Sequence, residues 1–435
     1  MTFLDILAYI FNLALLGYIT YLIKNKVKAY QLGPYFIPGL VVKVIAGIGV
    51  GLVYKYYYLQ GDTFSFYQEA VNLANIGYQR PLDYVKILLI NEVPQEFAEL
   101  LSLKYQPRAF FIAKLVSIVN LFTYNNYWLS GIYFSFFSYL GMWYLANMLA
   151  SKFEQTKYYA AIAFLFFPSV VFWSSGIIKE SVVMACLCFI VGFSIPYLTI
   201  SQKIPYPRII LMALFLWILL KLKYYYVGVL IPVMAANLIV AYLRFNFKFV
   251  QRNYYTHLGS WLVVFVLILL FATTIHPNLK GSNFLDSMVA THNEIYEKSD
   301  PEDLIAYRKL DPTVSSVLAN MPPAIYSGLY RPGLWDASNV FQYWVGFENL
   351  ILMILTIGAL FRLFTNKRFP HKILIFSMVT YILILASFMA LSSPNFGTLV
   401  RYKIAFLPFF IYLITINNPL VDGAINMIRP KFKAE

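Results

Sequence analysis

Four polar segments interrupt the apolar runs of this sequence, and the first of them supplies an acid. Asp62 lies in Gly61-Asp62-Thr63-Phe64, directly after an apolar run. A carboxylate in such a place can act as a general base. It can also cap the helix that follows by accepting hydrogen bonds from the first backbone amides, and a helix N-terminus favours its negative charge. Asp62 is therefore the candidate catalytic residue, with Glu69 on the same predicted helix as a supporting acid.

The other three segments supply cations near the ends of apolar runs. Lysine and arginine bind phosphate oxygens, and arginine does so through two parallel hydrogen bonds. The segments are 173–181 with Lys179 and Glu180, 221–226 with Lys223 and Tyr225, and 395–403 with Arg401 and Lys403. We predict that the four cations bind a substrate phosphate, and that Glu180 and Tyr225 support them.

Each cation also has a simpler interpretation. Lys179 and Glu180 can neutralise each other in one turn. Lys223 can extend to the headgroup layer within an aromatic belt. Arg401 can pair with a lipid headgroup or with an acid of a long outer segment. The sequence alone leaves these alternatives open.

Composition indicates that a lipid bilayer surrounds most of the chain. Of its 435 residues, 60% are hydrophobic and 12% are charged, whereas a soluble domain has roughly 25% charged residues. The mean hydropathy is +0.65. One water-soluble core could not bury this much apolar surface. The sequence predicts an all-α, polytopic transmembrane helical bundle, with residues 1–435 as one integral membrane domain.

Apolar runs near the length of roughly 20 residues that crosses a bilayer predict about 11 to 12 spans. The run at 109–124 is shorter, and we expect it to be re-entrant or to lie on the membrane surface. The other runs are 3–23, 35–54, 128–149, 158–174, 181–199, 208–220, 225–243, 258–275, 343–361, 373–391 and 402–416.

Basic residues predict the orientation of the chain. The formal charge of +14 comes largely from lysines and arginines in short loops, and such loops stay in the cytoplasm. We therefore expect contacts with membrane lipids and none with nucleic acid. The basic loops are 24–28, 203–208, 244–252, 362–372 and 429–433, which leaves 55–108 and 276–342 as long outer segments.

The two outer segments differ in pattern. Residues 276–342 are rich in acids and contain Pro322-Pro323, which predicts a folded or partly mobile outer cap. Residues 55–108 have apolar side chains at helical spacing, which is typical of amphipathic helices on the outer leaflet. The predicted apolar stripe is Phe64, Tyr67, Val71 and Ala74.

Several kinds of active site have no support in the sequence. It contains no G-x-x-x-x-G-K-[ST] loop for ATP. Its four histidines are dispersed and form no H-E-x-x-H motif, so a zinc centre is not indicated. Cys186 and Cys188 would point in different directions on a helix, so we expect no disulfide. We expect no cofactor. A divalent cation is compatible with phosphate chemistry, but no residue pattern supports one.

Together, the four segments resemble the motifs of GT-C superfamily membrane glycosyltransferases. The likeness is one of layout: Gly61-Asp62 early in the chain, 168–180 between two runs, 221–226, and 401–408 near the end. It covers residues 35–416. The resemblance implies a polyprenyl-linked sugar donor and a catalytic acid in the first outer loop, a position that Asp62 matches. The chain departs from the pattern in having no second acid beside Asp62 and a small outer domain.

The resemblance implies an enzyme, an inverting glycosyltransferase of cell-envelope polysaccharide biosynthesis. We expect it in the bacterial inner membrane, with its active site facing the periplasm or exterior and a glycan, lipid or protein as acceptor. An O-antigen or exopolysaccharide polymerase or ligase is one alternative, because such enzymes also have two sizeable outer loops and outer arginines. A secondary transporter or lipid flippase is another, and it would need discontinuous helices and paired charges near the bilayer midplane.

Overall fold

The computed structural model describes residues 3–59, 61–198, 204–251, 253–275, 281–361 and 371–428. Within these ranges, regular structure is helical, and one isolated antiparallel bridge joins Leu304 and Asn395. The predicted all-α fold class is confirmed. Some basic residues used for orientation lie outside the described residues, as does His276: Lys203, Arg252, Arg362, Lys367, Arg368, Arg429, Lys431 and Lys433.

The α-helices are named here in chain order. They are α1 (Phe3–Val27), α2 (Phe36–Tyr56), α3 (Asp62–Gln79), α4 (Pro81–Ile90), α5 (Pro107–Thr123), α6 (Tyr127–Lys152), α7 (Lys157–Ala161), α8 (Pro168–Phe172), α9 (Lys179–Ser194), α10 (Tyr206–Asn246), α11 (Lys248–Gln251), α12 (Tyr254–Ile275), α13 (Gly281–Glu297), α14 (Val314–Tyr330), α15 (Val340–Phe361), α16 (Lys372–Ser392), α17 (Phe396–Tyr402), α18 (Leu407–Thr415) and α19 (Pro419–Ile428).

The chain divides into two compact units, and α10 contributes to both. Near the point of division, Lys223 has backbone angles φ −146° and ψ 66°, which are not helical. The first unit comprises Met1–Lys157, Phe164–Phe193 and Tyr206–Tyr224, and the second comprises Tyr158–Ala163, Ser194–Pro205 and Tyr225–Glu435.

Among the described residues, seven helices are long and apolar enough to cross a membrane. An eighth span arises if Phe396–Ala405 and Leu407–Thr415, which meet at 67°, form one bent crossing. A multi-pass membrane protein is therefore confirmed, and fewer described helices meet this criterion of length and hydropathy than there are apolar runs. The seven are Ile6–Val27, Gly33–Tyr56, Lys179–Leu198, Tyr206–Asn246, Tyr254–Phe271, Val340–Phe361 and Lys372–Ser392.

The lower count has local causes. The runs at 208–220 and 225–243 both fall in α10, which counts as one element of 41 residues although two helical segments meet at a kink at Lys223. The run at 158–174 is broken into α7, a π-helical turn at Ile162–Phe166, and α8. Helix α6 contains many Tyr, Ser and Gly residues, which lower its hydropathy. Helix α5 has 17 residues, fewer than a full crossing needs.

In the first unit, side chains of α6 fix the turn between α1 and α2. Trp143 Nε1 donates to the Leu32 carbonyl at 3.2 Å, and the Leu32 amide donates to Asn147 Oδ1 at 3.2 Å. The Tyr139 hydroxyl donates to the Phe36 carbonyl at 2.5 Å. Because lipid offers backbone groups no hydrogen-bond partner, these contacts determine where α2 begins.

Phe64 and Tyr67, from the stripe predicted to face the outer leaflet, both contact the Tyr127 ring, with centroids 4.7 and 5.2 Å away. The contact of this stripe with the leaflet stays a prediction. Helix α3 packs against α5. Its buried apolar residues are Phe66, Ala70, Leu73, Ala74 and Ile76.

In the second unit, the described part of the 276–342 segment is folded onto the end of α16. His292 of α13 places Nδ1 2.6 Å from the Leu391 carbonyl oxygen. The Ile305 amide donates to the Pro394 carbonyl at 2.8 Å. Burial lowers the pKa of His292, although the bond to Leu391 opposes this effect.

We predict that cysteines introduced at Gln95 and Asn293 react with a membrane-impermeant thiol reagent added to intact cells. One at Asn246 should react only after the membrane is permeabilised. All three positions are exposed, and the native Cys186 and Cys188 are free and buried, as the sequence predicts. If Asn246→Cys alone were labelled in intact cells, the predicted orientation would be wrong and the opposite one would hold.

Candidate functional site

Asp62 occupies the first turn of α3 and is not its N-cap. The N-cap is Gly61, with φ of +155°, and a Cβ at this residue would lie 2.7 Å from two carbons of the Tyr54 ring. The interpretation of Asp62 as the N-cap is therefore wrong, because the N-cap is the preceding residue, Gly61. The half-buried carboxylate lies at the end of the helix that favours negative charge.

Lys179 lies beside the first turns of α3. Its ammonium is 4.6 Å from the centroid of the Phe66 ring. Phe66 follows Asp62 by one helical turn, and side chains at this spacing share a face of the helix. The contact therefore brings the first residue of α9 next to the face of α3 that carries Asp62.

Glu180 forms a buried ion pair with Lys223. Its Oε1 lies 3.4 Å from Lys223 Nζ, and the side chains are only 4% and 5% exposed. The sequence allowed Lys179 and Glu180 to neutralise each other within one turn. In the structure, the Glu180 carboxylate pairs with Lys223 of α10. The backbone of α10 is not helical at Lys223, which is the residue whose side chain pairs with Glu180.

Asp62 shares a helix face with Phe66, which Lys179 contacts, and Glu180, the next residue after Lys179, pairs with Lys223. We call Asp62, Lys179, Glu180 and Lys223 the first-unit cluster. It contains two acids and two lysines, so its formal charges cancel. Charges within a bilayer are costly and typically mark functional sites. A buried pair also pays a large desolvation cost, so stability alone is a weak reason for its presence.

Glu69, predicted as a supporting acid, holds one loop of the 55–108 segment in place. Its buried carboxylate accepts hydrogen bonds from the Ser102 amide and hydroxyl, both at 3.1 Å, and from the Leu103 amide at 3.0 Å. Because all three donors belong to one loop, Glu69 fixes that loop against α3. Its contacts are those of a positioning residue.

Lys43 is a buried cation that the sequence analysis missed. It lies within α2, is 1% exposed, and donates to the Ser174 hydroxyl and, at 3.5 Å, to the Val171 carbonyl. Met142 Sδ lies 3.3 Å from its ammonium. The available signal was a single lysine inside an apolar run, which marks a functional or structural polar contact in a membrane.

Arg331 and Asp336 form the main ion pair in the loop between α14 and α15. Nε and Nη2 of Arg331 lie 2.9 and 2.6 Å from the two carboxylate oxygens, and the Gly333 amide donates to Oδ2 at 2.8 Å. Burial would raise the pKa of Asp336, but the hydrogen bonds from Arg331 and Gly333 and the arginine charge lower it below its ordinary value. The sequence analysis did not select either residue.

Lys403 is bonded to the same loop. It follows α17, is 2% exposed, and donates to the Arg331 carbonyl at 2.6 Å. The nearby Glu348 carboxylate interacts with its charge. Arg401, also predicted to bind phosphate, is half-buried at the end of α17, with its guanidinium 5.5 Å from the Tyr402 ring centroid.

Tyr225 has an aromatic environment. Its ring lies 4.9 Å from Tyr226 and 5.8 Å from Phe388, measured between centroids. It also lines an apolar cavity of about 270 Å³. Tyr225, Arg401 and Lys403 thus belong to the second unit, whereas the remaining predicted site residues belong to the first.

No group of three or more His, Cys, Asp or Glu side chains within the described ranges is arranged to hold a metal ion. No protein-family model, curated protein or solved structure matches the chain. The function of the site must therefore be inferred from its own geometry and chemistry.

We predict that Asp336→Asn destabilises the protein at neutral pH by about 1.5 to 3 kcal/mol, the usual value of hydrogen bonds to charged groups. The lowered pKa of Asp336 means that its stabilisation is complete above the unfolded pKa of roughly 3.9. It is lost as pH falls through the lower folded pKa. The melting temperatures of wild type and variant should therefore converge below about pH 4.

Asp311→Asn is the matched control, because Asp311 pairs with Lys309 at 3.4 Å but both side chains are exposed. Exposed pairs contribute little, so this variant should melt like the wild type. Parallel curves for Asp336→Asn and wild type from pH 7 to pH 3 would show that the Asp336 charge does not stabilise the fold.

We also predict that Lys43→Met leaves the melting temperature unchanged or raises it, because an apolar replacement of a buried charge is often neutral or stabilising. Its partners stay satisfied: Ser174 donates to the Val170 carbonyl and Ser175 to the Val171 carbonyl, both at 2.6 Å. Lys43→Ala should cost about 2 to 5 kcal/mol through the cavity it leaves. Equal destabilisation by Met and Ala would mean that the ammonium itself is required for folding.

Proposed function

We propose that this chain is a glycosyltransferase of the bacterial inner membrane. It moves a sugar from a polyprenyl-linked donor to a glycan, lipid or protein acceptor at the outer face. The observation that carries the proposal is the first-unit cluster, in which Lys179 lies beside the helical face of Asp62 and adjoins the buried Glu180–Lys223 pair.

The cluster contains the groups that sugar transfer needs. Asp62 takes the proton from the acceptor hydroxyl, and the acceptor oxygen attacks the anomeric carbon of the donor. The bond from that carbon to the phosphate oxygen breaks, and its electron pair leaves with the phosphate. Attack from the opposite side inverts the anomeric configuration. Lys179 provides positive charge as the phosphate becomes more negative.

The Glu180–Lys223 pair supports this arrangement. Glu180 adjoins Lys179 in the first turn of α9, so holding Glu180 also holds the start of that helix. Lys223 anchors it from α10 at 3.4 Å. In the proposal, Lys223 contributes a second cation for the donor phosphate, and Glu180 keeps this cation in position.

In the second unit, Arg401 has a planar guanidinium that can give a phosphate two parallel hydrogen bonds, but the transfer step described above uses residues of the first unit alone. Lys403 has a different part, because its ammonium already donates to the Arg331 carbonyl. It positions the loop that carries Arg331 and Asp336. Tyr225 contributes apolar surface next to Phe388.

A transporter or lipid flippase is the second candidate, and the broken helices favour it. The pair Phe396–Ala405 and Leu407–Thr415 bends by 67°, and α10 loses helical geometry at Lys223. Discontinuous helices commonly form substrate sites in transporters. A polymerase or ligase would use the same cations as a glycosyltransferase and differ in its product.

We predict that Asp62→Asn abolishes sugar transfer while the protein accumulates normally in the membrane, keeps its melting temperature and still binds donor. An amide cannot take a proton at working pH, and loss of a general base typically costs roughly 10² to 10⁴ in rate. The measurement is transfer of labelled sugar from a polyprenyl-phosphate sugar in proteoliposomes.

Asp83→Asn is the matched control, because Asp83 lies in the first turn of α4, as Asp62 does in α3, and is 3.9 Å from Arg80. It should transfer sugar at the wild-type rate. Near-normal transfer by Asp62→Asn would remove Asp62 from the mechanism. Movement of the donor between leaflets by wild type, without any product, would favour the flippase.

A further inference from the structure

The second unit contains a polar cavity of about 760 Å³ that none of the predicted site residues lines. Its volume lies within the range of about 300 to 1,000 Å³ that is usual for small-molecule sites. The walls come from the last turns of α10, the segment around α11, the start of α12 and the start of α16. The polar residues in the wall include Asn237, Arg244, Asn253, His257, His371 and Lys372.

The charged side chains that line this cavity in the described part of the chain are cationic. Arg244 and Lys372 line it, together with His257 and His371, and the described lining residues include no Asp or Glu. The two histidines are far apart in the sequence, yet the fold brings them to one wall. Helices α12 and α16 also begin here, and their N-termini add positive potential to that of the side chains.

The floor of the cavity is held in place by hydrogen bonds that join three helices. Trp261 of α12 donates through Nε1 to Asn237 Oδ1 at 2.9 Å. Asn237 of α10 donates through Nδ2 to the Ser377 hydroxyl of α16 at 3.0 Å. At the rim, the Lys372 ammonium lies 5.3 Å from the Tyr254 ring centroid. These hydrogen bonds hold the three helices together without a ligand, so binding does not have to order the floor of the cavity.

We propose that this cavity binds a phosphate-bearing ligand at the face of the protein that the basic loops predict to be cytoplasmic. Two permanent cations in a walled space without acids suit a phosphate, which can accept charge-assisted hydrogen bonds from both. The phosphate belongs either to the headgroup of an anionic lipid or to a soluble phosphate compound. This site does not depend on the glycosyltransferase proposal.

The test uses the purified full chain and a double variant, Arg244→Gln with Lys372→Gln. The control is Lys24→Gln with Lys248→Gln, which removes the same charge from two exposed lysines that do not line the cavity. One arm measures binding of inorganic phosphate in detergent against chloride at equal ionic strength. The other arm measures the melting temperature in phosphatidylcholine nanodiscs with and without phosphatidylglycerol.

We expect at least one probe to bind, with affinity about tenfold or more weaker in the cavity variant and unchanged in the control. Phosphate binding in detergent identifies a soluble ligand. Stabilisation by phosphatidylglycerol alone identifies a headgroup. Arg244→Lys with Lys372→Arg keeps both charges and should bind the probe, which guards against misfolding of the glutamine variant. Binding of neither probe, or an equal loss in both glutamine variants, would overturn the proposal.

Discussion

Lipid cannot hydrogen-bond a backbone N–H or C=O, so an interrupted helix in a membrane needs partners from the protein for its exposed backbone groups. Where α17 and α18 meet, the Tyr381 hydroxyl donates to the Ala405 carbonyl at 3.0 Å. After α8, the Ser175 hydroxyl donates to the Val171 carbonyl at 2.6 Å. At these two breaks, polar side chains inside apolar runs donate hydrogen bonds to backbone carbonyls. The breaks can persist in a membrane because these side chains replace the hydrogen bonds that a continuous helix would make.

The same constraint separates two kinds of buried cation. Lys43 and Lys403 donate to the backbone carbonyls of Val171 and Arg331. Lys223 instead forms an ion pair with a side chain, Glu180, at 3.4 Å. An ion pair between two buried side chains costs desolvation, so stability alone is a weak reason for its presence. This difference is why the proposed mechanism uses the first-unit cluster and treats Lys403 as a positioning residue.

Local sequence patterns predicted the helices and several charged candidates, but not the contacts between distant segments. Asp62 and Lys179 were selected because a charge that ends an apolar run is conspicuous, and their roles stay predictions. The pairing of Glu180 with Lys223 was not, because it depends on how α9 and α10 pack. Arg331 was missed because its partner, Asp336, lies in an irregular loop where no periodicity applies. Fewer described helices than apolar runs pass a length and hydropathy criterion, because hydropathy does not show that two segments of α10 meet at a kink at Lys223 or that another run breaks at Ile162–Phe166.

The net formal charge of the first-unit cluster changes during the proposed transfer step. With Asp62 and Glu180 ionised and both lysines protonated, the four formal charges cancel. When Asp62 accepts the proton of the acceptor hydroxyl, its charge is lost and the cluster becomes positive by one. At the same moment the departing phosphate gains one negative charge. The cluster therefore attracts the phosphate most strongly as the bond to the sugar breaks, and not when the donor first binds. Stabilisation that grows toward the transition state is the kind that raises the rate.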